Sequence, residues 1–220
     1  MLDSLISLIA PHRCYACLKV GTALCESCIY NIVNDSISCC FFCSVPTLNG
    51  VCPGCAPRSP FSHFYLVGER HHELKTLLDD YKFNRAYALH RALAELLHTR
   101  LPRLPEDTVV VPLPTVARHK RIRGYDHIGL IAKTLASKRG LANQAVLGRR
   151  TNSVQLGANS QQRRRQADQA YCCNGKLDPA VPYLLVDDIV TTGATMRAAA
   201  RCLKAAGAKI ILIGAIARQA

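Results

Sequence analysis

Two groups of side chains in this sequence have the types and spacing to do chemistry. The first is a run of four Cys-x-x-Cys pairs, Cys14/Cys17, Cys25/Cys28, Cys40/Cys43 and Cys52/Cys55, with seven residues between the first two pairs and eight between the last two. A two-residue gap lets one tight turn aim two thiolates and nearby backbone N–H groups at a single cation, and a short spacer returns a second turn to complete a tetrahedral set. The spacing predicts two structural Zn2+ sites, Cys14, Cys17, Cys25, Cys28 and Cys40, Cys43, Cys52, Cys55. Sequential pairing is preferred to interleaved pairing because the spacers are short, and Cys39, next to Cys40, is an alternative ligand. The competing reading is a disulfide scaffold. It fits poorly, because MLDSLISLIAPHRC carries Asp3 where a secretory signal has a basic region, and thiols in the cytosol stay reduced. Four cysteines per site leave no position for water, so the predicted role is to staple the fold.

The second group is residues 184–195, LLVDDIVTTGAT. An apolar strand delivers Asp187 and Asp188 to a sheet edge, and a turn of small residues then opens a helix. Thr191, Thr192, Gly193, Ala194 and Thr195 offer hydroxyls and a row of backbone N–H groups at a helix N-terminus, which makes a cradle for a phosphate; Gly193 would let the backbone approach a ligand. Two carboxylates beside such a cradle suit sugar hydroxyls or a Mg2+ ion that neutralises the same ligand. The plain alternative is that the acids only cap the next helix.

The elements that must position these groups alternate. After the break at 53–60, Phe64–Gly68 reads as a strand and Leu74–Leu101 as helix with an interruption around Lys82–Asn84. Thr108–Leu113 reads as a buried strand, Asp126–Arg139 as an amphipathic helix, Tyr183–Val186 as a strand, Ala194–Ala206 as a helix and Lys209–Ala217 as a strand. This predicts an α/β fold, a mostly parallel sheet flanked by helices, in which ligands bind beyond the carboxyl ends of strands. Leu2, Leu5, Ile6 and Ile9 share one face of a short N-terminal helix. The expected domains are a Cys-rich head at 1–58 and an α/β body at 59–220.

The chain has 220 residues, with 28 Lys and Arg against 15 Asp and Glu. The excess is not spread evenly. The first 60 residues hold three basic and three acidic groups, whereas residues 118–165 hold 12 Lys or Arg and one acid, Asp126. No apolar run reaches the ~18 residues of a membrane span, so a cytoplasmic protein that is not membrane-integral is expected. Arg149, Arg150, Arg163, Arg164 and Arg165 flank or lie in a Gln-rich segment, 151–169, which reads as a hood over the site or as a solvated loop. His12, His63, His71, His72, His90 and His98 form no metal-ligand pattern.

LLVDDIVTTGAT resembles the phosphoribosyl pyrophosphate (PRPP) signature of type I phosphoribosyltransferases. With the four Cys pairs, Lys82-Phe83 closing a helix, Val111-Pro112-Leu113-Pro114, Arg121 to His127 and the tract from Gln155 to Tyr171, nearly the whole chain resembles the ComF family. That family joins an N-terminal zinc ribbon to a phosphoribosyltransferase-like domain. The resemblance implies that Asp187 and Asp188 face the ribose hydroxyls of PRPP, that Thr191 to Thr195 hold its 5′-phosphate, and that Arg121, Arg123 and Gly124 lie in the loop that meets the pyrophosphate, with Mg2+ bound alongside. It departs from the family at Tyr125, Asp126 and His127, where Phe-Asn-Gln is usual, and at Gln166 and Gln169, where Asn is usual. Asp126 is expected to repel phosphate.

Two functions follow from the resemblance. One is a phosphoribosyltransferase acting on an unidentified acceptor. The other is an accessory of natural transformation that handles single-stranded DNA or docks on a transport helicase. Residues 118–165 contain one aromatic residue, Tyr125. Single-strand binding usually combines cations with stacking rings, so the sequence favours the phosphosugar site.

Overall fold

The structure is a computed structural model that describes residues 12–35, 38–150 and 170–219. The expected N-terminal helix and the hood at 151–169 lie outside the described residues. The body begins with strand β1 (His63–Glu69), helix α2 (His72–Phe83), a single 3-10 turn at Tyr87–Leu89 and helix α3 (His90–Arg100). The break in the long helical pattern therefore falls where the sequence placed it. Strand β2 (Val109–Pro112), helices α4 (Ala117–Arg123) and α5 (His127–Arg139), and the short strand β3 (Ala142–Asn143) follow. A ribbon of β4 (Leu147–Arg149) and β5 (Tyr171–Cys173) precedes β6 (Pro182–Val190), α6 (Ala194–Ala205) and β7 (Ile210–Arg218). Among its described residues the head contributes the α-helix α1 (Glu26–Asn34), which the sequence reading did not predict.

Five strands form one sheet in the order β1-β7-β6-β2-β3, and every neighbouring pair in it is parallel. Alternation along the buried strands feeds two cores, one on each face. Val110, Leu184, Val186 and Leu212 pack with Leu77, Leu78, Leu93, Leu97, Ile131 and Leu135 of α2, α3 and α5. Val111, Leu185, Ile211 and Ile213 pack with Met196, Ala199 and Leu203 of α6. From β2 the chain moves outward to β3, and from β6 it moves the other way to β7. The crevice between the carboxyl ends of β2 and β6 is thus a topological switch point, where ligands bind in sheets of this kind.

The head grips both faces. Leu24, Ile29 and Val33, from its first half, join the core of α3 and α5. Phe41 and Val51, from its second half, join the core of α6. Tyr15 Oη donates to Asp80 Oδ2 of α2 at 2.8 Å. Among the described residues no helix is long and apolar enough to cross a membrane.

Candidate functional site

Strand β6 runs farther than the sequence suggested. Its ladder with β7 continues past the two acids, pairing Asp187 with Ala215, Ile189 with Ala217 and Val190 with Arg218. Neighbouring residues of a strand start on opposite faces. Asp188 continues the side of Leu184 and Val186, toward α2 and α5, and is buried. There Lys82 Nζ, from the last turn of α2, lies 2.7 Å from Asp188 Oδ2, and His127 Nε2, from the first turn of α5, lies 3.2 Å from the same oxygen. Burial works to raise the Asp188 carboxyl, but the charge of Lys82 and the contact with His127 hold it well below the ordinary carboxylate range.

Asp187 behaves in the opposite way. Its Oδ1 accepts the Asp188 N–H at 2.9 Å, and it is only partly buried by its surroundings. Burial and the neighbouring Asp188 charge push its carboxyl well above the usual value, against the pull of the Asp188 N–H and of Lys82. The adjacent acids are therefore not equivalent. Asp188 is committed to Lys82 and His127, whereas Asp187 starts from the opposite face of the strand.

Lys82 and His127 were not singled out as site residues in the sequence. The signal for Lys82 was its place at the close of a helix before a break; for His127 it was the first position of a helix following β2. Arg123 supports both. Its Nη1 lies 3.0 Å from His127 Nδ1 and its Nε donates to Lys82 O at 3.2 Å. Arg121 is exposed, and Gly124 closes α4. Burial first, and then the neighbouring cations Arg123, Arg118 and Arg149, hold the His119 imidazole below its usual pKa. Helix α4, beyond the carboxyl end of β2, carries Arg118, Lys120, Arg121 and Arg123. The Arg150 N–H donates to Ala170 O at 2.9 Å, which closes the ribbon on either side of 151–169.

Asp126 does not act as a bare charge. Its Oδ1 accepts the Gly129 N–H at 3.2 Å as the N-cap of α5, Thr115 Oγ1 donates to it at 3.0 Å, and Lys120 Nζ pairs with its other oxygen. Although burial raises its carboxyl, these partners bring it below the ordinary range. The expected repulsion of phosphate is thus offset within the protein by Lys120.

The turn after β6 places Thr191, Thr192 and Thr195 at the surface and buries Gly193, the N-cap of the 12-residue helix α6. Gly193 has φ +68°, and a Cβ there would meet Phe41 Cζ at 2.1 Å. The space on that side of Gly193 is filled by the head, so its lack of a side chain serves this contact first.

In the head, the sulfur atoms form the two sequential groups, Cys14, Cys17, Cys25, Cys28 and Cys40, Cys43, Cys52, Cys55, each with all sulfurs within 4.8 Å of one another. Cys17 and Cys25 are 3.6 Å apart, Cys14 and Cys25 3.9 Å, and Cys43 and Cys52 3.6 Å. A tetrahedral ion with bonds of about 2.3 Å requires sulfurs about 3.8 Å apart, so both groups fit Zn2+. All of these cysteines are free of disulfides. Burial raises the Cys14 thiol, but the backbone N–H groups of Cys17, Cys25 and Ala16 outweigh it and draw it down to about 6. Cys40 is likewise drawn down to about 6, burial being outweighed by the backbone of Cys52, Phe42 and Cys43. Cys39 stands outside the second group, its backbone bridging to Pro46.

Competence protein F of Haemophilus influenzae is 25% identical over 181 residues, spanning 76% of this chain and 78% of that protein. The DNA utilization protein YhgH of Salmonella typhi is 29% identical over 233 residues, spanning 96% and 99%. This chain is similar to competence protein F and YhgH over most of its length. The YhgH protein of Escherichia coli K12 is 28% identical over 231 residues, with the same 96% and 99% coverage. Residues 181–220, from the start of β6 to the end of β7, match the phosphoribosyl transferase domain. Among solved structures, one described as the allosteric regulatory enzyme of purine biosynthesis aligns with a TM-score of 0.40 and 15% identity, covering 57% of this chain and 25% of that one. The chain is thus similar to competence and DNA utilization proteins over most of its length and to the phosphoribosyl transferase domain over 181–220, and it carries two four-cysteine groups able to hold metal.

Proposed function

We propose that this protein binds PRPP with Mg2+ at the carboxyl end of β6 and displaces pyrophosphate from ribose C1 onto an acceptor nucleophile, in the service of DNA uptake. One observation carries the reading. The exposed Thr191-Thr192 turn and helix N-terminus stand beside a partly buried carboxylate, Asp187, whose partner Asp188 is already neutralised by Lys82.

In this reading, the backbone N–H groups and hydroxyls of Thr191 to Thr195 hold the 5′-phosphate. Asp187 receives the ribose hydroxyls and, with oxygens of the substrate itself, would hold Mg2+, which supplies charge neutralisation on the diphosphate. Arg121 meets the leaving pyrophosphate as its charge develops. Arg123 and Gly124 shape that loop, Arg123 by bracing His127 and Lys82. Zn2+ fills both four-cysteine groups of the head, 1–58, on the body, 59–220. The test is a calorimetric titration of Mg2+ and PRPP into the wild type and into Asp187→Asn. Micromolar binding that is lost in the variant is expected; no binding by the wild type overturns the proposal.

A second reading has one observation in its favour. Phe83 is 68% exposed and Tyr87 47% exposed, and the Arg123 guanidinium lies 5.9 Å from the centre of the Phe83 ring. The fold thus brings to the basic helix α4 the stacking rings that residues 118–165 lack. Such a surface suits single-stranded DNA, and the homologues' names point the same way. Fluorescence anisotropy with a labelled single strand should show affinity that falls steeply with salt and weakens in Phe83→Ala. Affinity unchanged by that substitution removes the reading.

A further inference from the structure

We infer that the second four-cysteine group positions the phosphate turn, through Phe41, so that metal in the head and phosphosugar in the body bind cooperatively. The inference rests on the proposed function for the identity of the ligand, but its structural half stands on contacts within the chain.

Phe41 follows Cys40 directly, so its backbone is set by the metal-binding turn. Cys40 Sγ accepts the Cys52 N–H at 3.4 Å, and the Phe41 N–H donates to Gly50 O at 2.8 Å. The return strand of the same turn is fastened to β1: the Phe64 N–H donates to Asn49 O at 3.0 Å, and a Cβ on Gly50 would meet Phe64 O at 2.0 Å. The Phe41 ring is held edge-on by Phe61 at 5.0 Å and Phe64 at 4.9 Å. The guanidinium of Arg218, the last residue of β7, lies 5.7 Å from its centre and donates to Phe41 O at 3.3 Å. A ring fixed in this way occupies the volume against which Gly193 packs.

Gly193 is the pivot of the turn. It sits between the exposed Thr191 and Thr192 and the first residue of α6, and its carbonyl accepts the Arg197 N–H at 3.0 Å. Its left-handed conformation is costly for any other residue, and for glycine it is one of several available states. Without Phe41 the turn would have other conformations open to it, and a ligand held by its N–H groups would have to select one of them. With Phe41 in place that ordering is already complete. A cavity of about 390 Å³ opens at this junction, lined by Cys39, Ser44, Thr191, Thr192 and Arg218 among others, so head and turn share one surface. Coupling between two sites is reciprocal. If metal in the head preorganises the turn, a ligand on the turn must hold the metal more tightly.

Amide hydrogen exchange tests the structural half without any ligand. In Phe41→Ala that retains two zinc ions per chain, exchange at residues 191–196 should speed up while that of β2 stays unchanged; Phe41→Leu should recover most of the protection. Exchange at 191–196 equal to wild type overturns the inference, whatever PRPP does. The ligand half is read from zinc release to a colorimetric chelator. PRPP with Mg2+ should slow release of one of the two zinc ions by roughly tenfold, within the usual range of coupling between sites, and should not slow it in Phe41→Ala. Release of both ions unaffected by saturating PRPP contradicts the coupling. A wild type that does not bind PRPP at all instead removes the proposed ligand and leaves the exchange result to decide the bracing.

Discussion

Lys82 Nζ lies 2.7 Å from Asp188 Oδ2, joining the end of α2 to the second of two adjacent acids on the central strand. The side chains are 12% and 5% exposed, so the pair is held away from water. Removing one partner of such a pair leaves an uncompensated buried charge, which costs about 3–5 kcal/mol. Lys82→Met should therefore destabilise the fold by that order in urea unfolding. Lys82→Met combined with Asp188→Asn should cost clearly less than the two single changes added together, and strict additivity would mean that the groups do not interact.

The same pair predicts an acid limit. Asp188 is depressed in the folded state, so its contribution to stability is complete above the unfolded carboxylate pKa of about 3.9 and is lost as pH falls through the lower folded value. Urea midpoints measured from neutral to strongly acid pH should fall on the acid side in the wild type, and the fall should be shallower in Asp188→Asn.

Asp187 predicts the opposite dependence for ligand binding. Its carboxyl is raised by burial and by the Asp188 charge, so the free protein keeps a proton there at pH values above the ordinary carboxylate range. Binding of a cation or of Mg2+ with PRPP should expel that proton, so affinity rises with pH until Asp187 is ionised. Calorimetry in two buffers of different ionisation enthalpy measures the release directly. Identical binding enthalpies in the two buffers would contradict it.

Gly193→Ala should destabilise the protein through both its left-handed conformation and its clash with Phe41, the backbone part alone being about 1–2 kcal/mol. Phe41→Ala has a cost of its own, the loss of a buried ring, but in the Gly193→Ala background it also relieves the clash and leaves the backbone cost. The double variant should therefore be more stable than the sum of the single effects implies, which thermal unfolding measures; simple additivity would show that the contact has no energetic weight.

Asp126→Ala should lower stability by about 1 kcal/mol through loss of the α5 cap, whereas Asp126→Asn, which keeps a capping oxygen, should be nearly neutral. A large gain in phosphate affinity in either variant would show that the Asp126 charge does reach the ligand.

Most of the sheet was legible because its strands are apolar runs bounded by Pro, Gly or acids, and its helices carry apolar residues at helical spacing. The head helix α1 was missed because it is only nine residues long and begins inside a Cys pair, so Cys28 and the apolar residues after it read as part of the metal-binding turn. β6 was read short because two acids look like the end of a buried strand; pairing with β7 carries the strand past them. The unequal roles of Asp187 and Asp188 follow from the two-residue period of a strand and were available in the sequence. Their partners were not, because Lys82 and His127 reach Asp188 only through packing of α2 and α5 on the same face. The cap role of Asp126 was also available, as an acid just before a helical pattern. Phe41 under Gly193 was beyond reach, since nothing local links a metal-binding turn to a loop on the far side of the chain.

The most direct measurement is phosphorus NMR of PRPP with Mg2+ titrated with the protein. The account predicts that the 5′-phosphate resonance shifts or broadens together with the diphosphate resonances, and that Thr192→Ala with Thr195→Val weakens the effect on the 5′-phosphate first. A 5′-phosphate resonance unmoved by stoichiometric protein would contradict the assignment of Thr191 to Thr195 as its cradle.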